Sequence, residues 1–407
     1  MDFNDTPEEA EFRAEVREWL DANAPKNWQK RMQTEGMQNV CREWQRTKYD
    51  AGWACLSWPE EYGGRALSSI QSSIFSEEEG KVAPPSAAML VVGVSMTGPM
   101  LMVHANDEQK KEFLPKTGRA DIVWCQLFSE PAGGSDLAAL RTRAVKDGDE
   151  WVINGSKIWS SGAHEADWGI LVTRTDPDVP KHKGMTFFLL DMRTKGVEAK
   201  PIKQVSGQAH FNEVFFDDVR IPDANRLGAV GDGWKVALTT LMNERMAVGS
   251  NAQLAVGFET LFDLARDIEG DDGPLIQDQA VRAQLAEWYA QSAGVKYSNA
   301  RTMSALSRGD TPGPEASIGK LVQGPMRQSM SEYGMELLDQ SGGIMDSGLA
   351  PMKGLFQHGL LGSIAGRVAG GTDEIMRNII AERVLGMPGD VRVDKDIPFK
   401  DIPSGSK

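Results

Sequence analysis

Residues 126–136 carry the most distinctive chemistry of the chain and read QLFSEPAGGSD. A proline and two consecutive glycines predict a tight turn, which leaves backbone N–H groups free to bind a ligand oxygen or ring nitrogen. The hydroxyls of Ser129 and Ser135 add further donors. An ordinary loop at the end of a strand explains the same residues equally well, so this stretch alone does not identify a ligand.

Residues 153–162 read INGSKIWSSG and set an aromatic ring next to two hydroxyls. The Asn154-Gly155 pair predicts a hairpin turn. Such a turn would let a flat ring pack on the indole of Trp159 while Ser161 bonds its heteroatoms. A strand tryptophan is also a common core residue, and that alternative stays open.

Residues 370–377 read GGTDEIMR and begin a predicted C-terminal helix that runs through Arg383. Thr372 is suited to cap this helix, with Ile375 facing inward, and helix N-termini attract anions. A capped helix start without any ligand fits the same residues.

Composition narrows the classes of function. The chain has 407 residues, of which 41% are hydrophobic and 25% charged, which is typical of a globular protein, and no apolar run approaches the ~20 residues of a membrane span. A net charge of −14 argues against a nucleic-acid partner, although local arginines and backbone amides could still meet a polyanionic ligand. The acidic start lacks the features of a signal peptide, so the expected location is cytoplasmic.

Other generic signatures are absent from the sequence. No GxGxxG follows a predicted strand, and His164-Glu165 has no second histidine one turn later, as a zinc protease would need. Five scattered histidines and three scattered cysteines predict neither a metal site nor a disulfide framework. We expect the cysteines to be reduced and mostly buried.

The order of elements is helices, then strands, then helices, which excludes an alternating βαβ architecture. Helical spacing of apolar residues such as Phe12, Val16, Trp19 and Leu20 marks the first part. The predicted domains are residues 1–121 (helical), 122–228 (a small antiparallel β domain) and 229–388 (helical). Residues 389–407 form a polar tail that we expect to be mobile.

These three stretches, in this order and spacing, resemble the acyl-CoA dehydrogenase family over almost the whole chain. The resemblance implies a mainly α fold with a central β domain: N-terminal helices, a β-barrel-like middle and a C-terminal four-helix bundle, with FAD between the last two. The chain is also similar to bacterial heteromeric subunits of the pimeloyl-CoA and steroid side-chain types. The implied reaction is α,β-dehydrogenation of an acyl-CoA in fatty acid or steroid side-chain degradation.

The resemblance also assigns roles to individual residues. A first group would contact the flavin, a second would lie near the phosphates or ribose of FAD, and a third would contact the substrate. The flavin group is Gln126, Phe128, Ser129, Trp159, Ser160 and Ser161. The phosphate or ribose group is Thr372 and Glu374, and the substrate group is Ser135 and Arg245.

The catalytic base is assigned from the absence of a glutamate at its usual position in the family. Many family members carry a glutamate just before the Gly-Thr pair, where this chain has Gly370. The family's other location precedes an arginine on an early helix of the C-terminal domain and corresponds here to Glu244, whose apolar neighbours Leu241 and Met242 predict a raised pKa. Without the family context, a surface glutamate explains Glu244 better. The backbone N–H of Gly370 would remain available to the thioester carbonyl.

Charged residues raise a question about assembly. Family homo-oligomers usually place an arginine and Phe-Gly before a glutamine that corresponds here to Gln279, but this chain has Asp271 and Asp272 there. A second family glutamine is replaced by Asp339. Carboxylates repel a pyrophosphate, so the subunit would rely on a paralogous partner for the adenine half of FAD. A self-sufficient homo-oligomer is the alternative.

Other functions stay open at this stage. A flavin-dependent oxidase or monooxygenase could use the same fold, and the chain could be a non-catalytic subunit of a heteromer. An electron-transfer flavoprotein is the acceptor that the family implies. The sequence does not identify the acyl group.

Overall fold

The computed structural model describes residues 5–82, 84–85, 88–250, 256–307, 313–392 and 394–403. Contacts divide the chain into two compact units. The first unit comprises Met1–Gln204, Gln208–Ala247 and Val391–Lys407, and the second comprises Val205–Gly207 and Val248–Asp390. Within the described ranges, no helix is long and apolar enough to span a bilayer.

The first unit begins with helices, as the apolar spacing predicts. These are α1 (Pro7–Asn23), α2 (Trp28–Glu35), α3 (Met37–Asp50), α4 (Ser69–Val82), α5 (Ala88–Val91), α6 (Gly98–His104) and α7 (Asp107–Gly118). Thr6 begins α1 with a reciprocal cap, in which its side chain accepts from the backbone of Glu9 and its own N–H donates to the Glu9 carboxylate. Phe12, Val16 and Leu20 are buried on one face of α1, which confirms the predicted pattern.

An eight-stranded sheet follows these helices. Its strands are β1 (Trp124–Leu127), β2 (Arg143–Asp147), β3 (Glu150–Ser161), β4 (Trp168–Arg174), β5 (Met185–Asp191), β6 (Val197–Ile202), β7 (Phe211–Pro222) and β8 (Arg226–Leu227). The spatial order is β6-β7-β3-β2-β4-β5-β8, with β1 beside β4. The expectation of a purely antiparallel sheet is wrong, because β1 runs parallel to β4 and β2 meets β4 in parallel at Arg143 and Arg174.

The predicted hairpin at Asn154-Gly155 is also wrong, because β3 continues through both residues. The pairing of β3 with β7 shifts its register between Ile153 and Gly155, which marks a β-bulge. The Asn154 amide donates to the Asp218 carboxylate at 2.9 Å and occupies the groups that a tight turn would need. The tight turn lies instead at Gly148 and Asp149, between β2 and β3, where Asp147 pairs with Glu150.

The second unit is helical and surrounds its own core. Helix α8 (Gly233–Ser250) begins in the first unit and is followed by α9 (Phe258–Asp267), α10 (Gln279–Ser307), α11 (Ala316–Leu337), α12 (Leu355–Val368) and α13 (Asp373–Ile379), with the short strands β9 (Glu269–Gly270) and β10 (Gly273–Pro274) between α9 and α10. Gly334 on α11 lies directly against the ring of buried Phe356 on α12, where an added Cβ would come within 2.1 Å of that ring. The close approach of these helices therefore requires a glycine.

The chain returns to the first unit at its C-terminal end. Residues 394–403 pack on the loop between β4 and β5, where the backbone N–H of Phe399 donates to the carbonyl of Val179 at 2.9 Å. The polar sequence predicts a mobile tail, but Phe399 is buried among strand-domain residues. Short-range composition does not reveal this long-range contact.

The N-terminal helix is held to α4 by a buried carboxylate. Glu78, whose side chain is 3% exposed, lies 2.8 Å from Arg17, 2.8 Å from Arg13 and 2.7 Å from Lys81. The hydrogen bond from Arg17, with those from Lys81 and Arg13, lowers the pKa of Glu78 to about 2 despite its burial.

Replacing Glu78 with glutamine should therefore destabilise the first unit in a pH-dependent way. In the unfolded chain a glutamate titrates near pH 4.3, so the contribution of Glu78 is fully present above that pH and is lost as the pH falls toward 2. At pH 7 the loss should be up to about 3 kcal/mol, measured from urea denaturation followed by circular dichroism.

The adjacent Glu77 provides the control. Its side chain is 56% exposed and pairs with Arg13 at 2.9 Å, so Glu77→Gln should change stability by less than about 1 kcal/mol. If the difference between wild type and Glu78→Gln does not shrink between pH 5 and pH 2.5, the role of this ion cluster is wrong.

Candidate active site

The loop after β1 forms the tight turn that its proline and glycines predict. Glu130 and Gly133 exchange two backbone hydrogen bonds of 2.9 and 3.0 Å. The carbonyl of Ser129 accepts from the backbone N–H of Ile158 on β3 at 2.9 Å. Ser135 is exposed at the far end of the turn. The two motif stretches of the strand domain therefore lie side by side.

A buried ion pair joins these two stretches inside the strand domain. Lys157 on β3 is fully buried, and its Nζ lies 2.8 Å from Oε1 of Glu130 and donates to the carbonyl of Phe128 at 3.1 Å. The Glu130 carboxylate also accepts from the backbone N–H groups of Arg141 and Thr142 at 2.6 and 2.9 Å. All the donors therefore meet at one carboxylate.

The pKa values of the pair follow from this geometry. Burial alone would raise the pKa of Glu130, but the Lys157 ammonium and the hydrogen bonds from residues 141 and 142 outweigh it and lower that pKa. Burial lowers the pKa of Lys157 to about 8, and the carboxylate limits the fall. Both groups are charged at neutral pH.

Trp159 lies on the same strand but points the other way. Residues two apart on a regular strand share a face, yet Lys157 is fully buried and Trp159 is 56% exposed. A second register shift against β7, between Lys157 and Ser160, explains the reversal. Trp159 has a φ of +61°, a strained conformation for a bulky residue. The strand therefore holds this indole outward at a cost in backbone strain.

The hydroxyls next to Trp159 differ in environment. Ser160 is buried, and among the described residues its Oγ has no hydrogen-bond partner. Its carbonyl accepts from the amide of buried Asn212 at 2.9 Å. Ser161 is half-buried. An unpaired buried hydroxyl is unusual in a folded protein and is a candidate ligand donor.

The first unit also brings Gln126 to Glu244. Gln126 lies on β1 and Glu244 on α8, and the amide Nε2 of Gln126 donates to Oε2 of Glu244 at 3.3 Å. Both side chains are half-buried. The sequence separates these residues by 118 positions, and only the packing of α8 on the strand domain joins them.

Phe128, another predicted ligand residue, occupies a different environment. The ring of Phe128 lies in the core and packs edge-on against Phe187 at 5.8 Å, so its backbone is the part nearest the loop. Arg245 lies on α8, but its side chain falls outside the described residues. The three cysteines are free and buried, as expected.

The remaining predicted residues lie in the second unit. Gly370 and Gly371 have φ values of +68° and +99°, a region that strains any residue with a side chain. Thr372 caps α13 as predicted, because its hydroxyl accepts from the backbone N–H of Ile375 at 3.2 Å. Ile375 is only partly covered, and the buried residues of this turn are Asp373 and Met376.

Glu374 is exposed on the first turn of α13. Hydrogen bonds from its own backbone N–H and from Thr372 lower its pKa. The regular helix ends at Ile379, and a π-helical turn continues it from Ile380 to Val384. The predicted helix through Arg383 is therefore present in two forms.

The second unit contains a cavity of about 680 Å³ with an acidic lining. Five carboxylates line it: Asp263, Asp267, Glu269, Asp271 and Asp339. Asp339 has a φ of +48°, which aspartate tolerates better than most residues. Asp271 and Asp339, which the sequence analysis singled out separately, therefore line one cavity, and Asp272 is not part of its lining.

Comparison with known families identifies the chain. Three family models match consecutive stretches: the acyl-CoA dehydrogenase N-terminal domain over residues 6–121, the middle domain over 125–219 and the C-terminal domain over 231–385. The chain belongs to the acyl-CoA dehydrogenase family. The predicted family, its helix–strand–helix fold and its enzymatic class are confirmed.

Individual acyl-CoA dehydrogenases resemble this one closely. IpdE1 of Mycobacterium tuberculosis is 37% identical over 390 residues, which cover 94% of this chain and 98% of that protein. FadE34 of the same organism is 39% identical over 83% of this chain, but the match spans only 45% of the relative.

Solved structures give the same result. A complex described as the Tcur3481-Tcur3483 steroid ACAD has a chain with 31% identity and a TM-score of 0.83, covering 96% of this chain and all of that one. The ChsE4-ChsE5 complex from M. tuberculosis matches with 30% identity, the same TM-score and the same coverage. The similarity to steroid-type dehydrogenases predicted from the sequence is confirmed.

Sequence reasoning missed the structural role of Glu130 and Lys157. Each was visible as a charged residue inside a motif, with opposite charge in the partner motif. Regular alternation along β3 puts Lys157 on the same buried face as Trp151 and Ile153, but a lysine is not an expected core residue without knowledge of its partner.

Removing Lys157 should be severe. Lys157→Met leaves the Glu130 carboxylate buried without its cation, so the free energy of unfolding should fall by about 3–5 kcal/mol. A Lys157→Met/Glu130→Gln double variant should lose less than Lys157→Met alone, since neither charge remains. Chemical denaturation of the three proteins measures both effects.

An exposed ion pair on β6, two strands away in the sheet, serves as the matched control. Lys200 and Glu198 on β6 lie 3.2 Å apart with side chains 58% and 62% exposed. Lys200→Met should change stability by less than about 0.5 kcal/mol. Equal losses in Lys157→Met and Lys200→Met would contradict the importance of the buried pair.

Proposed function

We propose that this chain catalyses FAD-dependent α,β-dehydrogenation of an acyl-CoA thioester, with Glu244 as the base that removes the α-proton. The observation that carries the proposal is the contact of 3.3 Å between Glu244 and Gln126, a residue of the flavin-loop motif. This contact sets the only glutamate of α8 beside the loop that the family uses for its cofactor. The product would be the trans-2-enoyl-CoA.

The residues of the first unit fit a flavin. Trp159 offers an exposed indole face, held outward in a strained backbone conformation. Ser160, whose buried Oγ has no partner in the described part of the chain, and half-buried Ser161 follow Trp159 in the sequence and would bond ring heteroatoms. Ser129 and the backbone of Phe128 complete this set. Bound FAD would supply the acceptor, at N5, for the hydrogen and electron pair that leave the β-carbon.

Glu244 would remove the substrate's α-proton, with support from its neighbours. A thioester α-proton is far from acidic at pH 7, so the base must be well positioned and shielded from water. Glu244 is half-buried, and the hydrogen bond from Gln126 restrains the direction of its carboxylate. Arg245, which follows it on α8, is proposed to contact the substrate.

We assign the thioester carbonyl to a backbone donor. Gly370 has no side chain at the position where many family members carry their glutamate, and its left-handed φ of +68° disfavours one. Its N–H would donate to the carbonyl oxygen, where negative charge grows as the α-proton leaves. Ser135 would assist at the thioester end, while Thr372 and Glu374 would contact the phosphates or ribose of FAD.

The relatives support a proposal for the substrate and the partners. Because structures with 30% and 31% identity are a ChsE4-ChsE5 complex and a steroid ACAD, we assign a bulky, steroid-derived acyl group. The acidic cavity repels the pyrophosphate that family homo-oligomers bind from a neighbouring subunit. The working assembly would therefore be a heteromer with a paralogous subunit, with an electron-transfer flavoprotein as acceptor.

Glu244→Gln tests the base directly. Glutamine keeps the size and the contact with Gln126 but cannot take a proton, so turnover should fall by about 10²–10⁴-fold while FAD stays bound. Bleaching of the flavin under anaerobic conditions with steroid acyl-CoA measures the first half-reaction, and the flavin absorbance of the purified protein measures binding.

Glu332→Gln, at an exposed position of α11, is the matched control and should retain full activity. A Glu244→Gln protein that bleaches flavin at the wild-type rate would refute the assignment. A protein that has lost its flavin would instead assign Glu244 to cofactor binding.

Expression of the chain alone tests the assembly. We expect it to purify with little FAD, because Asp271 and Asp339 line the cavity that should meet a partner's cofactor. Co-expression with a paralogous subunit that supplies cationic and amide side chains should restore the flavin. The mass of the native assembly and the ratio of flavin absorbance to protein absorbance measure both results. A flavin-replete homo-oligomer would exclude the heteromer.

A further inference from the structure

The C-terminal segment makes more contacts with the strand domain than its polar sequence suggests. We call residues 394–403 the strap. Its backbone pairs with residues 177–180, through Lys400 N–H to the carbonyl of Pro177 at 3.0 Å and through a bridge between Pro398 and Pro180. Lys400 also lies 2.6 Å from the Asp178 carboxylate. The strap is therefore docked in a defined register.

Phe399 of the strap covers a buried arginine. The Arg174 guanidinium lies 3.9 Å from the centre of the Phe399 ring, and Arg174 is 4% exposed. Its nitrogens donate to the carbonyls of Ala138 and Lys181, each at 2.5 Å. Arg174 thus ties the segment that follows the flavin-motif loop to the β4–β5 loop, and Phe399 shields these hydrogen bonds from water.

A chain of charges makes a second link. Nζ of Lys181 lies 2.8 Å from the Asp136 carboxylate and 2.6 Å from the Asp394 carboxylate. Asp136 is the last residue of the QLFSEPAGGSD stretch, and Asp394 belongs to the strap. The Lys181 side chain is only 10% exposed, so these two carboxylates hold it in place.

The Arg141 side chain joins the same arrangement. Its guanidinium lies 5.4 Å from the centre of the Phe399 ring, and its backbone N–H donates to Glu130 at 2.6 Å. The strap therefore reaches both ends of the loop: the Glu130 end through Arg141, and the Asp136 end through Lys181.

We propose that the strap is a positioning device that holds residues 129–136 in the conformation that binds flavin and thioester. Phe399 and Asp394 are its positioning residues, and they act through Arg174, Arg141 and Lys181. The role in ligand binding rests on the function proposed above, whereas the effect on the loop itself does not.

The turn itself explains why a brace is needed. Between Ser129 and Asp136 its backbone is held by the two hydrogen bonds of the Glu130–Gly133 bridge, by the bond from Ile158 to Ser129 and by the bond from Ala139 to the carbonyl of Asp136. Pro131 and Ser135 are exposed. A segment with few internal bonds opens at low free-energy cost unless its ends are fixed.

Hydrogen–deuterium exchange of the full chain, in the oligomer in which it purifies, tests the proposal without depending on flavin or activity. Asp394→Asn and Phe399→Ala should each speed exchange of peptides that cover residues 129–142 by about tenfold, with α1 to α4 unchanged. Asp394→Glu should restore slow exchange. Asp401→Asn, at an exposed strap position, should leave exchange at the wild-type rate.

A double-mutant cycle isolates the charge link. In a Lys181→Met background, Asp394→Asn should have no further effect on exchange, because the residue through which it acts is gone. Additive effects would overturn the proposed route. Unchanged exchange at 129–142 in both strap variants, or equal acceleration in every peptide of the first unit, would overturn the positioning role.

A binding measurement then connects the loop to function. In Asp394→Asn the KM for acyl-CoA and the Kd for FAD should each rise about fivefold to tenfold, with kcat changed less than twofold, since the base is intact. A fall in kcat alone would overturn the role in ligand binding. If Glu244→Gln proves active while the strap variants still loosen the loop, the proposed chemistry fails and the strap's effect on the loop stands.

Discussion

The buried ion pair between Lys157 and Glu130 is the interaction on which the geometry of the strand domain depends. Taking two charges out of water is costly, and the cost is offset only when both groups are fully hydrogen-bonded in one arrangement. Here Glu130 accepts from Lys157 and from two backbone N–H groups, and Lys157 also donates to the carbonyl of Phe128. Any other placement of Glu130 would leave a buried charge unmatched, so the pair fixes this end of the loop in a single conformation.

The irregular pairing of β3 with β7 links this ion pair to the proposed flavin site. The register shift against β7 between Lys157 and Ser160 lets one strand bury Lys157 and expose Trp159, although a regular strand would put both on one face. The left-handed backbone at Trp159 is strained, and strain of this kind persists only where the surroundings over-determine it. The buried side of β3 supplies that constraint. The ion pair on the buried face of the strand and the exposed indole on its other face therefore depend on each other.

The backbone conformation of Gly370 and Gly371 bears on where the proposed catalytic base can lie. Their positive φ values disfavour a side chain where many relatives carry the base, and the candidate carboxylate stands instead on α8. A helix gives this carboxylate a rigid support, and Gln126 on the adjacent strand restrains its direction. The acidic cavity of the second unit is a separate feature, and in the function proposed above it would bear on assembly rather than on proton removal.

The sequence by itself determined the family, the helix–strand–helix order, the tight turn after β1, the cap at Thr372 and the apolar face of α1. These features depend on residue types within a few positions of one another, where local sterics and periodicity act. Tertiary structure alone decided the bulge at Asn154-Gly155, the parallel pairing of β1 with β4, the docking of Phe399, and the meetings of Gln126 with Glu244 and of Asp271 with Asp339. Each joins residues far apart in the chain, so its energy comes from packing and desolvation that no local pattern records.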